Sequence, residues 1–242
     1  MADVYELLER ALDYYLEDRV RKAERVLDRI ETLDPGNGEA KYLRGTIAFG
    51  QGDFDTALEF LDAAVAADSS VARFHGTRAT LLGIAGRMED ARESFWAAIR
   101  LKPDQAEYWL GLTAALDRLG ETEAALDACR CAVALEPESS QAHGSLGTLL
   151  LTLGHYDEAL ESATAAIEAD DTDADLYNLL SGIHASREEY DLAEASALHS
   201  LELDPEQVDS MRILASVLRH TGRDDEAADY ERRIEALSAT DE

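Results

Sequence analysis

The 242-residue chain carries 51 Asp and Glu against 22 Lys and Arg, a formal net charge of −29, with 46% hydrophobic residues. Direct nucleic-acid binding, which needs clustered cations on phosphates, is disfavoured, as is an anionic membrane surface. The apolar runs fall far short of the ~20 residues that span a bilayer, so no membrane insertion is expected.

The start, MADVYELLER, is acidic and lacks the basic stretch and apolar block of a secretory leader, so a cytoplasmic location is expected. Only Lys22, Lys41 and Lys102 supply lysine. Scarce lysine with acidic excess suits a protein kept soluble in high salt, where self-repulsion is screened. A GC-rich genome gives the same exchange of Lys for Arg, and both readings stand. Cys129 and Cys131 are two apart, which fits neither a C-x-x-C motif nor a disulfide framework.

An internal period of 34 residues organises everything else. Alanine recurs at Ala23, Ala57, Ala91, Ala125, Ala159, Ala193 and Ala227. A second small phase runs Ala64, Ala98, Ala132, Ala166, Ser200. The turn glycines Gly52, Gly86, Gly120, Gly154 and Gly222 share one phase, and the prolines Pro35, Pro103, Pro137 and Pro205 share another. Seven units follow in chain order: 4–37, 38–71, 72–105, 106–139, 140–173, 174–207 and 208–241, without insertion.

Each unit predicts two antiparallel helices of about 13 residues. The first unit has Asp18 at the turn phase and Ile30 at the second small phase. It also holds a basic cluster, Arg19, Arg21, Lys22, Arg25 and Arg29, which reads either as a salt-bridged face (Glu17 and Asp18 precede Arg21 and Lys22 by four) or as a docking spot for an acidic partner. The second and third units follow the pattern, ending their first helices at Gly52 and Gly86. In the fourth, DQAEYWLGLTAALDRL has helical spacing after an Asp able to cap it. Gly120 then permits a left-handed turn, TEAALDACRCAVAL is a second amphipathic run, and Pro137 stops it. The fifth, YDEALESATAAIEAD, turns mostly alanine inward, so its neighbours must approach closely.

The sixth unit is joined to the fifth by Asp170-Asp171-Thr172-Asp173-Ala174-Asp175, which spans the boundary between them. This starts like a calcium loop, but Leu176 and Gly182 occupy the places that need Gly and Glu, so helix capping is the expected role. It has Glu188 at the turn phase. The seventh has Ile234 at the second small phase and ends in DDEAADYERRIEAL, where Glu231 and Arg232 read as a solvated cap.

The early small residue, the turn, the paired alanines and the late proline resemble the tetratricopeptide repeat (TPR) family over essentially the whole chain. LGHYDEAL at 153–160 and the Trp109…Pro137 unit match most closely. The resemblance implies an all-α fold: a right-handed α-solenoid of antiparallel helix pairs, one domain over 1–242. It implies that first helices line a concave groove that binds a peptide or partner protein. Residue by residue, that side holds Tyr15, Tyr42, Thr46, Phe49, Arg73, Thr80, Arg118, Thr148, Asn178 and Arg212 as candidate ligand contacts. Tyr5, Leu8, Leu12, Gly76, Gly83 and Ala114 lie on the same side. Tyr15, Tyr42 and Phe49 read equally well as interior packing. The carboxylate clamp of the chaperone-binding subgroup is missing, since Leu8, Leu12, Leu43, Arg73 and Thr77 stand at its places.

No nucleophile elbow, phosphate loop, zinc-protease or dinucleotide motif is present, and the six histidines are scattered. The expected function is a non-catalytic adaptor without cofactor or metal, and the alternative is a scaffold that assembles from copies of itself. Ala159→Leu is expected to overpack the interhelical contact and cost roughly 1–3 kcal/mol in urea unfolding.

Overall fold

The computed structural model describes residues 4–239, and the described residues form helices, turns and links without a strand. The helices are α1 (Val4–Leu16), α2 (Val20–Leu33), α3 (Gly38–Gly50), α4 (Phe54–Ala67), α5 (Ala72–Ile84), α6 (Met88–Leu101), α7 (Ala106–Arg118), α8 (Thr122–Leu135), α9 (Ser140–Thr152), α10 (Tyr156–Ala169), α11 (Ala174–Ser186), α12 (Tyr190–Leu203), α13 (Val208–His220) and α14 (Asp224–Ser238). They divide into two compact units, Met1–Glu121 with α1–α7 and Thr122–Glu242 with α8–α14.

Within the first unit, α1/α2, α3/α4 and α5/α6 are antiparallel pairs, and each second helix also packs on the first helix of the next pair, ending with α6 on α7. The second unit repeats this arrangement, from α8 on α9 through the pairs α9/α10, α11/α12 and α13/α14. This is the expected α-solenoid construction in each unit.

The turn between paired helices is set by backbone hydrogen bonds. At the end of α3, Asp53 N–H donates to the Ala48 carbonyl (3.0 Å) and Gly52 N–H to Phe49 (2.9 Å), two bonds that satisfy carbonyls a helix end would leave bare. The geometry requires positive φ, which Gly52 adopts at +79°. Asp18 and Glu188 make the same turn with φ of +56° and +61°. A Cβ is strained there, more so for Glu than for Asp.

The alanine phase explains how close the helices come. All seven alanines from Ala23 to Ala227, and Ala64, Ala98, Ala132 and Ala166 of the second phase, are fully buried. Ser200 takes that phase by donating its hydroxyl to the Ala174 carbonyl (2.8 Å) and accepting one from Ser210 (2.7 Å), so no polar group is stranded. An end unit lacks one neighbour, which would leave room for a larger side chain at this phase. That reason holds for half-buried Ile234 but fails for Ile30, which is fully buried among Leu7, Leu27 and Leu43. Ile30 is accommodated by packing between α1, α2 and α3.

Asp104 does not cap α7, because the helix begins one residue later, after Gln105, with no side-chain cap. Asp173 does cap α11, accepting from Asp175 N–H at 2.9 Å, while Asp170 accepts from the Thr172 N–H and hydroxyl. Among the described residues, no three His, Cys, Asp or Glu side chains are arranged to hold a metal ion.

Helix α1 departs from the repeat. Its Glu6, Glu9 and Asp13 are exposed, whereas the residues one period later, Ala40, Leu43 and Ile47, are buried in the α1–α3 core. The outer face of α1 is therefore solvated by carboxylates. Glu188→Gly is expected to relieve left-handed strain and raise stability by about 1 kcal/mol, while Gly154→Ala lowers it by a similar amount; urea midpoints of both variants check this.

Candidate functional site

The side of the first unit built from first helices brings together many of the candidate residues, but they do not all remain available. Tyr42 on α3 stacks on Phe74 (centroids 5.1 Å apart, 26° between planes), and its hydroxyl lies 3.2 Å from that of Thr77. Arg73 pairs with Glu39 and lies over the Tyr42 and Phe74 rings, 5.6 and 5.3 Å from the centroids. Phe49 packs with Leu61 and Leu81, and Tyr15 joins the α1–α3 core. All three aromatic candidates are half-buried, so they complete packing as well as facing outward.

Thr46, Thr80 and Thr148 share a phase and a habit. Each donates its hydroxyl to the carbonyl four residues back, at 3.0, 3.2 and 3.0 Å. With that proton committed to the helix, each side chain offers a methyl group and oxygen lone pairs. In the second unit, the Asn178 side-chain oxygen lies 3.0 Å from the Ser210 hydroxyl oxygen, whose proton goes to Ser200, and Arg212 pairs with Asp209 (2.9 Å).

What the sequence did not single out is a cleft between α5, α6 and α7, about 340 Å³ in volume. Ala79, Thr80, Gly83 and Ile84 form one wall, Met88 and Phe95 the α6 side, and Gly111, Ala114 and Arg118 the other wall. The small residues create the space, because larger side chains at Gly83 and Ala114 would fill it. Gly111 is required for another reason: a Cβ there would overlap the Phe95 ring, which floors the cleft. Ile84 is 54% exposed at the edge. Arg118, in the last turn of α7, is exposed and has no ion pair or hydrogen bond among the described residues. Thr80 and Arg118 are thus brought to one hollow, and the spacing of 38 residues between them hid this.

Several charged groups of the second unit pair with one another. In the second unit a polar hollow of about 510 Å³ is bounded by His155, Tyr156, Asp157, Glu158, Arg187 and Glu189. Arg187 bonds Asp157 (2.8 Å) and Glu189 (3.0 Å), and buried His184 donates from Nδ1 to Glu189 (2.7 Å). The His184 hydrogen bond, helped by Arg187, holds the Glu189 carboxyl below the usual carboxylate range. His75, Trp109 and His143, one period apart, each place a ring nitrogen on a link carbonyl: Ser69 (3.0 Å), Pro103 (2.9 Å) and Pro137 (2.9 Å). The ring nitrogen at this position ties each of these first helices to the link before it.

The basic cluster on α2 behaves differently from the salt-bridged face that i,i+4 spacing suggested. Glu17 pairs with Arg19 (2.6 Å), and Arg19 and Lys22 lie over the Tyr14 ring. Arg21, Arg25 and Arg29 are exposed and have no carboxylate partner among the described residues.

Comparison with known proteins agrees with this architecture. The family model described as tetratricopeptide repeat matches residues 8–72, 77–143, 145–206 and 187–242. Similar solved structures include YrrB, a TPR protein with an unusual peptide-binding site, at 20% identity and a TM-score of 0.68 over 77% of this chain and 96% of that one. PilF of Pseudomonas aeruginosa matches at 18% identity and a TM-score of 0.77, covering 88% and 97%. MamA of Desulfovibrio magneticus RS-1 matches at 21% and 0.63, covering 70% and 96%. No curated protein matches the chain.

Two outcomes follow from the geometry. Tyr42→Ala is expected to cost about 2–3 kcal/mol in urea unfolding, because it removes a ring stacked in the first unit. Glu189 has a folded pKa below its ordinary 4.5, so its contribution is present above that pH and is lost as pH falls through the lowered value. Glu189→Gln should therefore flatten the acid limb of a plot of urea midpoint against pH below about 4.5.

Proposed function

The chain belongs to the tetratricopeptide repeat family, and we propose that it is a non-catalytic adaptor whose first-helix side, the concave side in this reading, binds a peptide or a segment of a partner protein. The observation that carries this is the α5–α7 cleft, an apolar hollow opening among small residues on the side where the candidates gather. Tyr5 and Leu12 of α1 are 64% and 46% exposed, at phases where later repeats place polar or small residues such as Arg73 and Thr80. They extend the apolar character along that side. The peptide-binding site named for YrrB supports the same class of ligand. No helix among the described residues is long and apolar enough to cross a membrane.

Residues 1–242 are read as one repeat domain, supported by a 34-residue period that runs past Glu121 and Thr122 without insertion. The contacts proposed are Tyr15, Tyr42, Thr46, Phe49, Arg73, Thr80, Arg118, Thr148, Asn178 and Arg212. Of these, Thr80 and Arg118 now carry most weight, because their outward groups are uncommitted or line the cleft.

A second reading, association of copies, draws on the unpaired row Arg21, Arg25 and Arg29 in a chain of net charge −29, since each copy offers carboxylates to another's cations. Light scattering over a concentration series tests it, and a strict monomer removes it. For the first reading, partner capture in high salt is compared between the native chain and Leu12→Glu with Thr80→Glu. Both positions are exposed, so helical content by circular dichroism should be unchanged while capture falls at least tenfold. Unchanged capture, or equal loss from Trp96→Glu on α6, contradicts the proposal.

A further inference from the structure

Resting on the first-helix side as the binding surface, we propose that the α5–α7 cleft is an anchor site for one kind of sequence: a large apolar side chain with an Asp or Glu beside it, inside a partner's chain. Three observations combine. The floor and walls are apolar, with Phe95, Met88 and Ile84 supplying the larger surfaces. The volume of about 340 Å³ exceeds what a single methyl or isopropyl group needs, so a Leu-, Met- or Phe-sized group is accommodated. Arg118 is the single charged lining residue, and no carboxylate of the described chain pairs with it.

That last point weighs heavily in an acidic protein. The chain holds 51 carboxylates, and several cations around the cleft's helices pair with them: Arg73 with Glu39, Arg78 with Asp62, Arg87 with Asp90 and Arg92 with Glu121, while unpaired Arg100 of α6 does not line the cleft. Arg118 is left facing the cleft with its donors open. A guanidinium presents a planar fork that matches a carboxylate in two hydrogen bonds, and such charge-assisted bonds contribute most where an apolar floor excludes water. The net charge of the chain opposes an acidic partner at long range, but salt screens that repulsion over about 3 Å at 1 M while contact pairs persist.

A chain-terminal carboxylate has the same chemistry but fits less well. Terminal carboxylates are captured by free backbone N–H groups as well as by cations. The cleft is walled by helices whose interior N–H groups bond within the helix, leaving the one guanidinium. An internal Asp or Glu, whose neighbour fills the apolar floor, uses both features at once.

The test pans a phage-displayed random-peptide library on the full chain in high salt. One arm holds each peptide between linkers and the other leaves its C-terminus free. Linker-flanked binders should be enriched in Leu, Met or Phe within a few residues of Asp or Glu. Arg118→Gln should weaken them roughly tenfold, the effect of losing one charge-assisted contact. Arg118→Glu should redirect selection toward Lys and Arg beside the same apolar residues. Enrichment confined to the free C-terminal arm, or indifferent to Arg118→Glu, overturns the assignment. If such indifferent binders are still lost in Leu12→Glu with Thr80→Glu, the first-helix side survives as the binding surface and only this inference fails. Binders that ignore all of these variants overturn both, as does the absence of any enrichment.

Discussion

The structure depends on one steric constraint: where the second helix of a pair is wedged between two first helices, there is room for little more than a methyl group. Ala159 and Ala166 satisfy it on α10, and a fully buried alanine stands at the Ala159 phase in every pair, whereas Ile30 takes the Ala166 phase where α1, α2 and α3 leave more room. A helix presenting alanines gains little burial by itself, so stability comes from the closeness of its neighbours, and each pair is marginal without the next. Close approach in turn demands a fixed entry angle. The left-handed turn after each first helix supplies it through two backbone hydrogen bonds, even where Asp18 and Glu188 must strain to make it.

The same constraint shapes the surface. With tight contacts confined to the alanine side, larger side chains collect between successive first helices and at the open ends. Tyr42 and Phe74 fill one such space by stacking. Around α5 and α7, small residues at Gly83 and Ala114 leave a space unfilled, and Phe95 becomes its floor because Gly111 has no side chain. The cleft is thus what remains when a repeated packing rule meets an unrepeated run of small residues.

The helix pairs, their boundaries and the left-handed turns were legible because each is local and recurs seven times: Gly120 and Pro137 mark the ends of α7 and α8 to within a few residues. Properties that need three helices at once were less legible. The α5–α7 cleft joins residues 38 apart through the position of Phe95, which no pairwise spacing reveals. The half-burial of Tyr15, Tyr42 and Phe49 also depends on the neighbouring repeat. Glu6, Glu9 and Asp13 could have been found, since aligning the first unit with the second sets them against Ala40, Leu43 and Ile47. Asp104 misled because Gln105 stands between it and the first turn of α7.

The central functional claim is that a partner lies on the first-helix side, and photocrosslinking tests it most directly. A benzophenone side chain at position 80, on α5, is compared with one at position 96, on the α6 face. The account predicts a covalent partner adduct from position 80 and none from position 96. An adduct from position 96 alone would contradict it.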